Sequence, residues 1–312
     1  IDGTVYPLRD TDFPTIDPAD PNKLTPEEQD IIDGLVSSFR RSEKLQIHTR
    51  FLYSVGSIYR RHNGNLLYHG CIPCDGNGEF MEFSLYSDTP LKGRAFLDWA
   101  DRLARQGYFA PDGSMERLRG LDFLWFLWCG RNSPICGRTK ITTFERALIE
   151  DKASYTEPKN PYYVYYGSEE FCRRILDDFD LHKPWSRIIN GHMPVKVKEG
   201  EDPRKGGGRL VVIDGGFCKA YHKQTGIAGY TMFFSSHGMR IAAHEPFTTR
   251  EEAIHGKKDI TSHSFIVENL PRRLMISDTD AGEGIKRRIE DLNALLDAYR
   301  SGTIKTDSTG RI

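Results

Sequence analysis

No apolar stretch in this chain approaches the roughly 20 residues that a membrane span requires. The longest aromatic-rich run, Leu121–Cys129 (LDFLWFLWC), is too short to cross a bilayer and reads as buried core. Charge of one sign is not in surplus either: 43 basic residues face 44 acidic ones, a net of −1. No global field therefore recruits nucleic acid or an anionic membrane, and any anion site has to be local. The first residues, IDGTVYPLRD, lack the basic-then-apolar pattern of a secretory signal. An initiator methionine is also missing, from which we expect the chain to begin inside a longer gene product. There is no internal repeat and no low-complexity tract.

Cysteine is sparse, six in 312 residues (71, 74, 129, 136, 172 and 218). Without a secretory signal this usage fits reduced thiols in a cytoplasmic protein. Cys71-Ile-Pro-Cys74 is a CxxC pair, and Cys129 with Cys136 would complete a four-thiolate zinc site. The CxxxxxxC spacing of the second pair is poor for a zinc knuckle, so ordinary thiols are preferred over zinc or a redox pair.

What is present is the composition of a globular protein, 38% hydrophobic and 28% charged. Residues 1–24 are rich in Asp and Pro and read as an extended lead-in. Thr25-Pro26-Glu27-Glu28 is a helix start, with Thr as cap, Pro at the first helical position and Glu at the third. Apolar residues from Ile31 to Ile58 recur at helical spacing, predicting one long helix or two over 26–62, closed by Asn63-Gly64-Asn65. Residues 65–69 read as a buried strand with a sharp stop. A hairpin-like piece around 75–78 leads to a strand expected at 79–86. Helices are expected at 91–106, 114–129, 142–151, 168–180 and 284–299. Strands are expected at 186–190 and 209–214, and a hairpin pairs 230–234 with 239–243. Mixed elements without strict βαβ alternation argue an α+β or layered α/β fold. The division expected is a lead-in (1–24), a main domain (25–247, with helical insertion at about 25–62 and 91–183) and a tail (248–312).

Two histidines share one local context. Leu66-Leu67-Tyr68-His69-Gly70 and Ile188-Ile189-Asn190-Gly191-His192 each set a His beside glycine after an apolar run. A strand end holds its backbone still while the side chain projects, adjacent glycine lets other groups approach, and imidazole is a common ligand for first-row metals. The plainer reading is a core or turn histidine bonded locally. Arg131 and Arg138 lie beside glycines in the loop CGRNSPICGRTK, and Lys205 precedes Gly206-Gly207-Gly208. Cations next to flexible backbone suit phosphate recognition, although solvated surface charge for the arginines and a plain hairpin connection for the glycine loop are the preferred readings. Lys219, Tyr221 and Lys223 add groups near the second His segment. No GxxxxGK[ST] loop, Ser-His-Asp pattern or carboxylate pair stands out.

The segments LLYHGCIP (66–73), WCGRNSPICGRTKITTFERALIEDK (128–152), NPYYVYY (160–166) and INGHMPVKVKEGEDPRKGGGRLVVIDGGFCKAYHKQTGIAGYTM (189–232) carry a resemblance. They resemble the class III, Firmicutes-type fructose-1,6-bisphosphatase family of bacteria, over nearly the whole chain. The resemblance implies hydrolysis of the 1-phosphate of fructose 1,6-bisphosphate to fructose 6-phosphate in gluconeogenesis. It also implies a likeness to calcineurin-like metallophosphoesterases, with an αββα sandwich and a dinuclear site for manganese or another divalent metal. His69 matches the family's "HG" ligand and His192 its "GH" ligand, both for the second metal. Pro194 occupies the second position of the wider GHxH motif, as in the phosphoprotein-phosphatase-like branch. The DxH, GDxxDRG and GNHD/E motifs are not found in 1–312, so no catalytic residue of the family is assigned here. The chain is expected to be a fragment, the C-terminal half of such an enzyme, and to be inactive alone. Arg131, Arg138 and Lys205 are the candidates for the distal phosphate. The implied partner is a small sugar bisphosphate, with no nucleic acid or membrane, in a cytoplasmic homo-oligomer. A non-catalytic regulatory or oligomerisation module is the alternative, and a protein phosphatase of related fold is disfavoured.

Overall fold

Thr25 opens the first helix as its sequence requires: its hydroxyl accepts from the Glu28 amide (3.2 Å) while the Thr25 amide donates to the Glu28 carboxylate (2.8 Å). This reciprocal cap starts α1 (Pro26–Arg41). Ser42 then ends α1 and caps α2 (Glu43–Val55), so of the one helix or two expected there are two. The computed structural model describes all residues except 217, 219, 247, 248, 257–261 and 306–312, and the side chains of 222 and 253. Lys219 thus lies outside the described residues. The described chain divides into two units, one of residues 1–58 and 73–161, the other of 59–72 and 162–312.

The first unit is helical. After α2 it continues with α3 (Gly93–Phe109), α4 (Met115–Cys129) and α5 (Thr143–Leu148). Phe96, Leu97, Ala100 and Leu103 of α3 are buried, as are Phe123 and Leu127 of α4. The two helices touch backbone to backbone at Gly107 and Gly120, where a Cβ on Gly120 would collide with the Gly107 nitrogen. The strand expected at 79–86 does not form. Asp75 caps a turn by accepting from Asn77 and Glu79 (2.8 and 3.0 Å), and only isolated bridges, Cys74 to Phe80 and Phe83 to Leu91, follow.

The second unit carries the sheets. β1 (Tyr59–His62) pairs antiparallel with β2 (Asn65–Tyr68), so residues 59–62 are strand, not the end of a helix. Asn63 (φ +49°) and Gly64 (φ +82°) make the turn, the positive-φ pair that a two-residue hairpin selects. The later elements are α6 (Tyr162–Tyr165), α7 (Glu169–Asp178), β3 (Ile188–Asn190), β4 (Arg204–Lys205), β5 (Leu210–Val212), α8 (His222–Thr225), β6 (Gly229–Ser235), β7 (Gly238–His244), α9 (Arg250–His255), β8 (Ser262–Asn269) and α10 (Asp280–Arg300). One sheet has the order β1-β2-β3-β5-β4, the other β6-β7-β8. β2, β3 and β5 run parallel, with Tyr68 opposite Asn190 and Asn190 opposite Val212. Their short apolar runs fit strands covered on both faces. Leu66, Ile188, Leu210 and Val211 are fully buried. Mixed α/β architecture therefore holds.

Gly206, Gly207 and Gly208, all at positive φ, form the tight turn between β4 and β5, closed by the Arg209 amide on the Gly206 carbonyl (2.9 Å). A Cβ on Gly206 would meet the Cys172 sulfur at 2.6 Å. This segment is a hairpin connection between β4 and β5. No described helix is long and apolar enough to cross a membrane.

Candidate functional site

In an open α/β sheet the carboxyl ends of parallel strands are where side chains and loops converge on a ligand. Here the residues leaving β2 and β3 are His69 and Gly191-His192. The register that pairs Tyr68 with Asn190 sets the two strand ends level. His69 Nε2 and His192 Nδ1 are 3.0 Å apart, with the ring planes at 79°. At that distance one nitrogen carries a proton and donates while the other accepts.

Backbone strain aims the second ring. His192 has φ +67°, and the Met193 amide donates to the Gly191 carbonyl (2.8 Å), closing a three-residue turn around it. This is the rare positive-φ form of the γ-turn, of the kind that collects at functional sites. Gly191 is not there for space, since a Cβ would meet the His69 carbonyl oxygen at 3.5 Å, an ordinary contact.

The first ring is fixed through its own backbone. The His69 carbonyl accepts from the Gly191 amide (3.0 Å) and from the Asn190 side chain (3.1 Å). Just before it, the Tyr68 and Tyr162 hydroxyls share a buried hydrogen bond of 2.7 Å. Burial pushes both phenols well above the usual tyrosine range, so the pair stays neutral. Asn190, 1% exposed, and the Tyr68–Tyr162 pair went unread in the sequence. The available signal was a polar residue, Asn190, at the end of an apolar run that must be buried. Asp214 after β5 was also passed over; its carboxylate accepts from the Gly216 amide (2.9 Å) and its carbonyl from the Val195 amide (2.8 Å).

Lys205 opposes Leu210 at the amino end of β5, whereas the imidazoles leave the carboxyl ends of β2 and β3. Its ammonium pairs with Glu201 (2.8 Å) beside the Tyr166 ring. Arg131 and Arg138 belong to the first unit. Arg131 is exposed, and Arg138 pairs with Glu157 at 3.5 Å. None of the six cysteines is joined in a disulfide, and 71, 74, 136 and 172 are buried. Among the described residues no group of three or more His, Cys, Asp or Glu is arranged to hold a metal ion.

Against known proteins, the family model described as Firmicute fructose-1,6-bisphosphatase matches residues 1–301. A fructose-1,6-bisphosphatase class 3 of Clostridium botulinum (strain 657 / Type Ba4) is 50% identical over 308 residues, 99% of this chain and 46% of that protein. The protein of the same description from Clostridium novyi (strain NT) is 48% identical over 305 residues, 98% of this chain and 46% of its own length. The chain thus spans about half the length of these curated relatives. The expectation of a detached fragment meets a match that takes in 99% of the chain. No solved structure matches. The extent of these matches places the chain in the Firmicute fructose-1,6-bisphosphatase family.

Proposed function

We propose that this chain contributes two imidazole ligands, His69 and His192, to the metal centre of a fructose-1,6-bisphosphatase. The reaction is hydrolysis of the 1-phosphate of fructose 1,6-bisphosphate to fructose 6-phosphate, in cytoplasmic gluconeogenesis, within a calcineurin-like metallophosphatase fold. The observation that carries the reading is the 3.0 Å separation of His69 Nε2 and His192 Nδ1 on level, parallel strand ends. The two imidazoles would hold one divalent ion together once the proton between them has left and both lone pairs turn toward it. Manganese or another divalent metal, when bound, supplies Lewis-acid polarisation of a phosphoryl oxygen.

The chain's own part is to hold two neutral nitrogens at fixed separation and to keep that geometry through the His192 turn. Arg131, Arg138 and Lys205 are the proposed grips for the distal phosphate, of which Arg138 and Lys205 would exchange a carboxylate partner for the phosphate. The partner is a small sugar bisphosphate and not nucleic acid or membrane, and the working form is a homo-oligomer. Two imidazoles, with no third His, Cys, Asp or Glu arranged to complete a site among the described residues, make a half-site. Hydrolysis by this chain alone is expected to be negligible.

The test is calorimetric titration of the metal-stripped chain with Mn²⁺, beside His69→Ala and His192→Ala, with phosphate release from fructose 1,6-bisphosphate followed in parallel. Binding that either substitution abolishes, without turnover, is the expected result. Metal binding unaffected by both substitutions overturns the ligand assignment. Manganese-dependent phosphate release at enzymatic rates overturns the half-site.

A further inference from the structure

We propose that Asn190 is the positioning residue that locks the two imidazoles at ligand separation. The inference rests on the reading of His69 and His192 as metal ligands and adds the part that sets their geometry.

Asn190 is the last residue of β3, 1% exposed. Its Nδ2 donates toward three consecutive carbonyl oxygens, those of Tyr68 (3.4 Å), His69 (3.1 Å) and Gly70 (2.7 Å). For three successive carbonyls to face one atom, the chain leaving β2 must curl around it, and His69 sits at the middle of that curl. The same residue's main-chain carbonyl accepts from the Ile213 amide (2.9 Å), which joins the exit of β5 to it. Asn190 thus ties all three parallel strand ends together, one residue before the Gly191-His192 turn.

The orientation of the amide follows from its surroundings. Turned the other way, Oδ1 would face three acceptor oxygens and repel all of them. In the orientation present, Oδ1 is buried and finds no donor among the described residues. An unsatisfied buried acceptor is costly, and here it is tolerated so that Nδ2 can hold the curl. Aspartate would have the same shape but no donor, and an apolar residue would leave the three carbonyls without this partner. Groups that orient metal-ligating histidines commonly change metal affinity 10–100-fold when removed.

The test uses the full chain, stripped of metal and labelled with ¹⁵N at histidine and asparagine. In the wild-type chain the expected result is an imidazole N–H···N hydrogen bond in the long-range ¹H–¹⁵N spectrum and a resolved, slowly exchanging pair of Asn190 side-chain protons. Fast solvent exchange of those protons overturns the proposal without any mutant. Asn190→Ala is expected to erase the imidazole–imidazole signature and to weaken Mn²⁺ binding at least tenfold. Ile189→Ala, a buried neighbour that makes none of these side-chain bonds, serves as the stability control and should leave both readouts in place. Retention of the signature in Asn190→Ala, or its equal loss in Ile189→Ala, overturns the positioning role. If the wild-type chain binds no Mn²⁺, the ligand reading fails, and the metal-free spectra still decide whether Asn190 positions the rings.

Discussion

At the scale of single residues, the sharpest constraint is the backbone of His192. A non-glycine residue in the left-handed region costs about 1–2 kcal/mol, and at φ +67° His192 bears that cost. Replacing it separates ligand from conformation. His192→Gly and His192→Ala should both lose Mn²⁺ binding, but the glycine variant should be the more stable by about 1 kcal/mol, read from urea midpoints. Equal stability would mean the turn stores no strain. Glu157 gives a second residue-level expectation. Burial alone would raise its pKa, but hydrogen bonds from the Thr142 hydroxyl and amide, then the Arg146 and Arg138 charges, leave it below the ordinary glutamate value. A carboxyl depressed in the folded state stabilises the fold fully above its unfolded pKa and loses that contribution as pH falls through the folded one. Glu157→Gln should therefore be less stable than wild type at pH 7, with the gap closing below about pH 4.5. A gap that stays constant into acid would remove the charge from the explanation.

At the scale of elements, one close fit is the crossing of α3 and α4. Gly107 and Gly120 let two backbones touch, and a Cβ on either has nowhere to go. Gly120→Ala should destabilise the chain by about 2 kcal/mol or more, because the strain of overpacking outweighs the helical preference of alanine. Thermal unfolding measures it, and an unchanged midpoint would show that the helices slide apart freely. This contact could not have been foreseen from the residues, although both helices were. Their apolar stripes and the Ser114 cap are local, and so is the Thr25 box that starts α1. What failed was what depends on distant partners. Tyr59–His62 continued a helical pattern until β2 claimed it as a strand through the Asn63-Gly64 turn. Residues 79–86 carry apolar side chains suited to a strand, yet among the described residues they make only isolated bridges and no ladder. β8 was missed because its side chains are largely exposed, so SHSFIVEN carries little apolar alternation. The site divides in the same way. His69 and His192 were legible because each ends a local apolar run. Asn190 was not, because its role is made by carbonyls some 120 positions away in the chain.

At the scale of the whole chain, the path between the two units gives the imidazole pair a consequence beyond chemistry. The chain enters the second unit at residue 59, leaves it after 72, and returns only at 162. His69 therefore lies in a short segment held between two stretches of the first unit, and His192 in the long return. An ion shared by the two would clip β2 to β3 across 123 positions of chain. A ligand stabilises whatever must unfold to release it, by about 2.7 kcal/mol at one hundred times its dissociation constant. That amounts to a slowing of amide exchange by about 100-fold for groups that open only with the site. Gly191, whose amide bonds the His69 carbonyl, and Ile213, whose amide bonds the Asn190 carbonyl, are the reporters inside the clip. The amides of α3 and α4 report on the other unit. Hydrogen exchange followed by mass spectrometry, with and without saturating Mn²⁺, should show protection rising over peptides covering 59–72 and 186–214. Peptides over 93–129 should stay unchanged if the units open separately. Equal protection in both sets would mean that they unfold as one cooperative body. Protection in neither, in a chain shown to bind Mn²⁺, would place the ion away from His69 and His192.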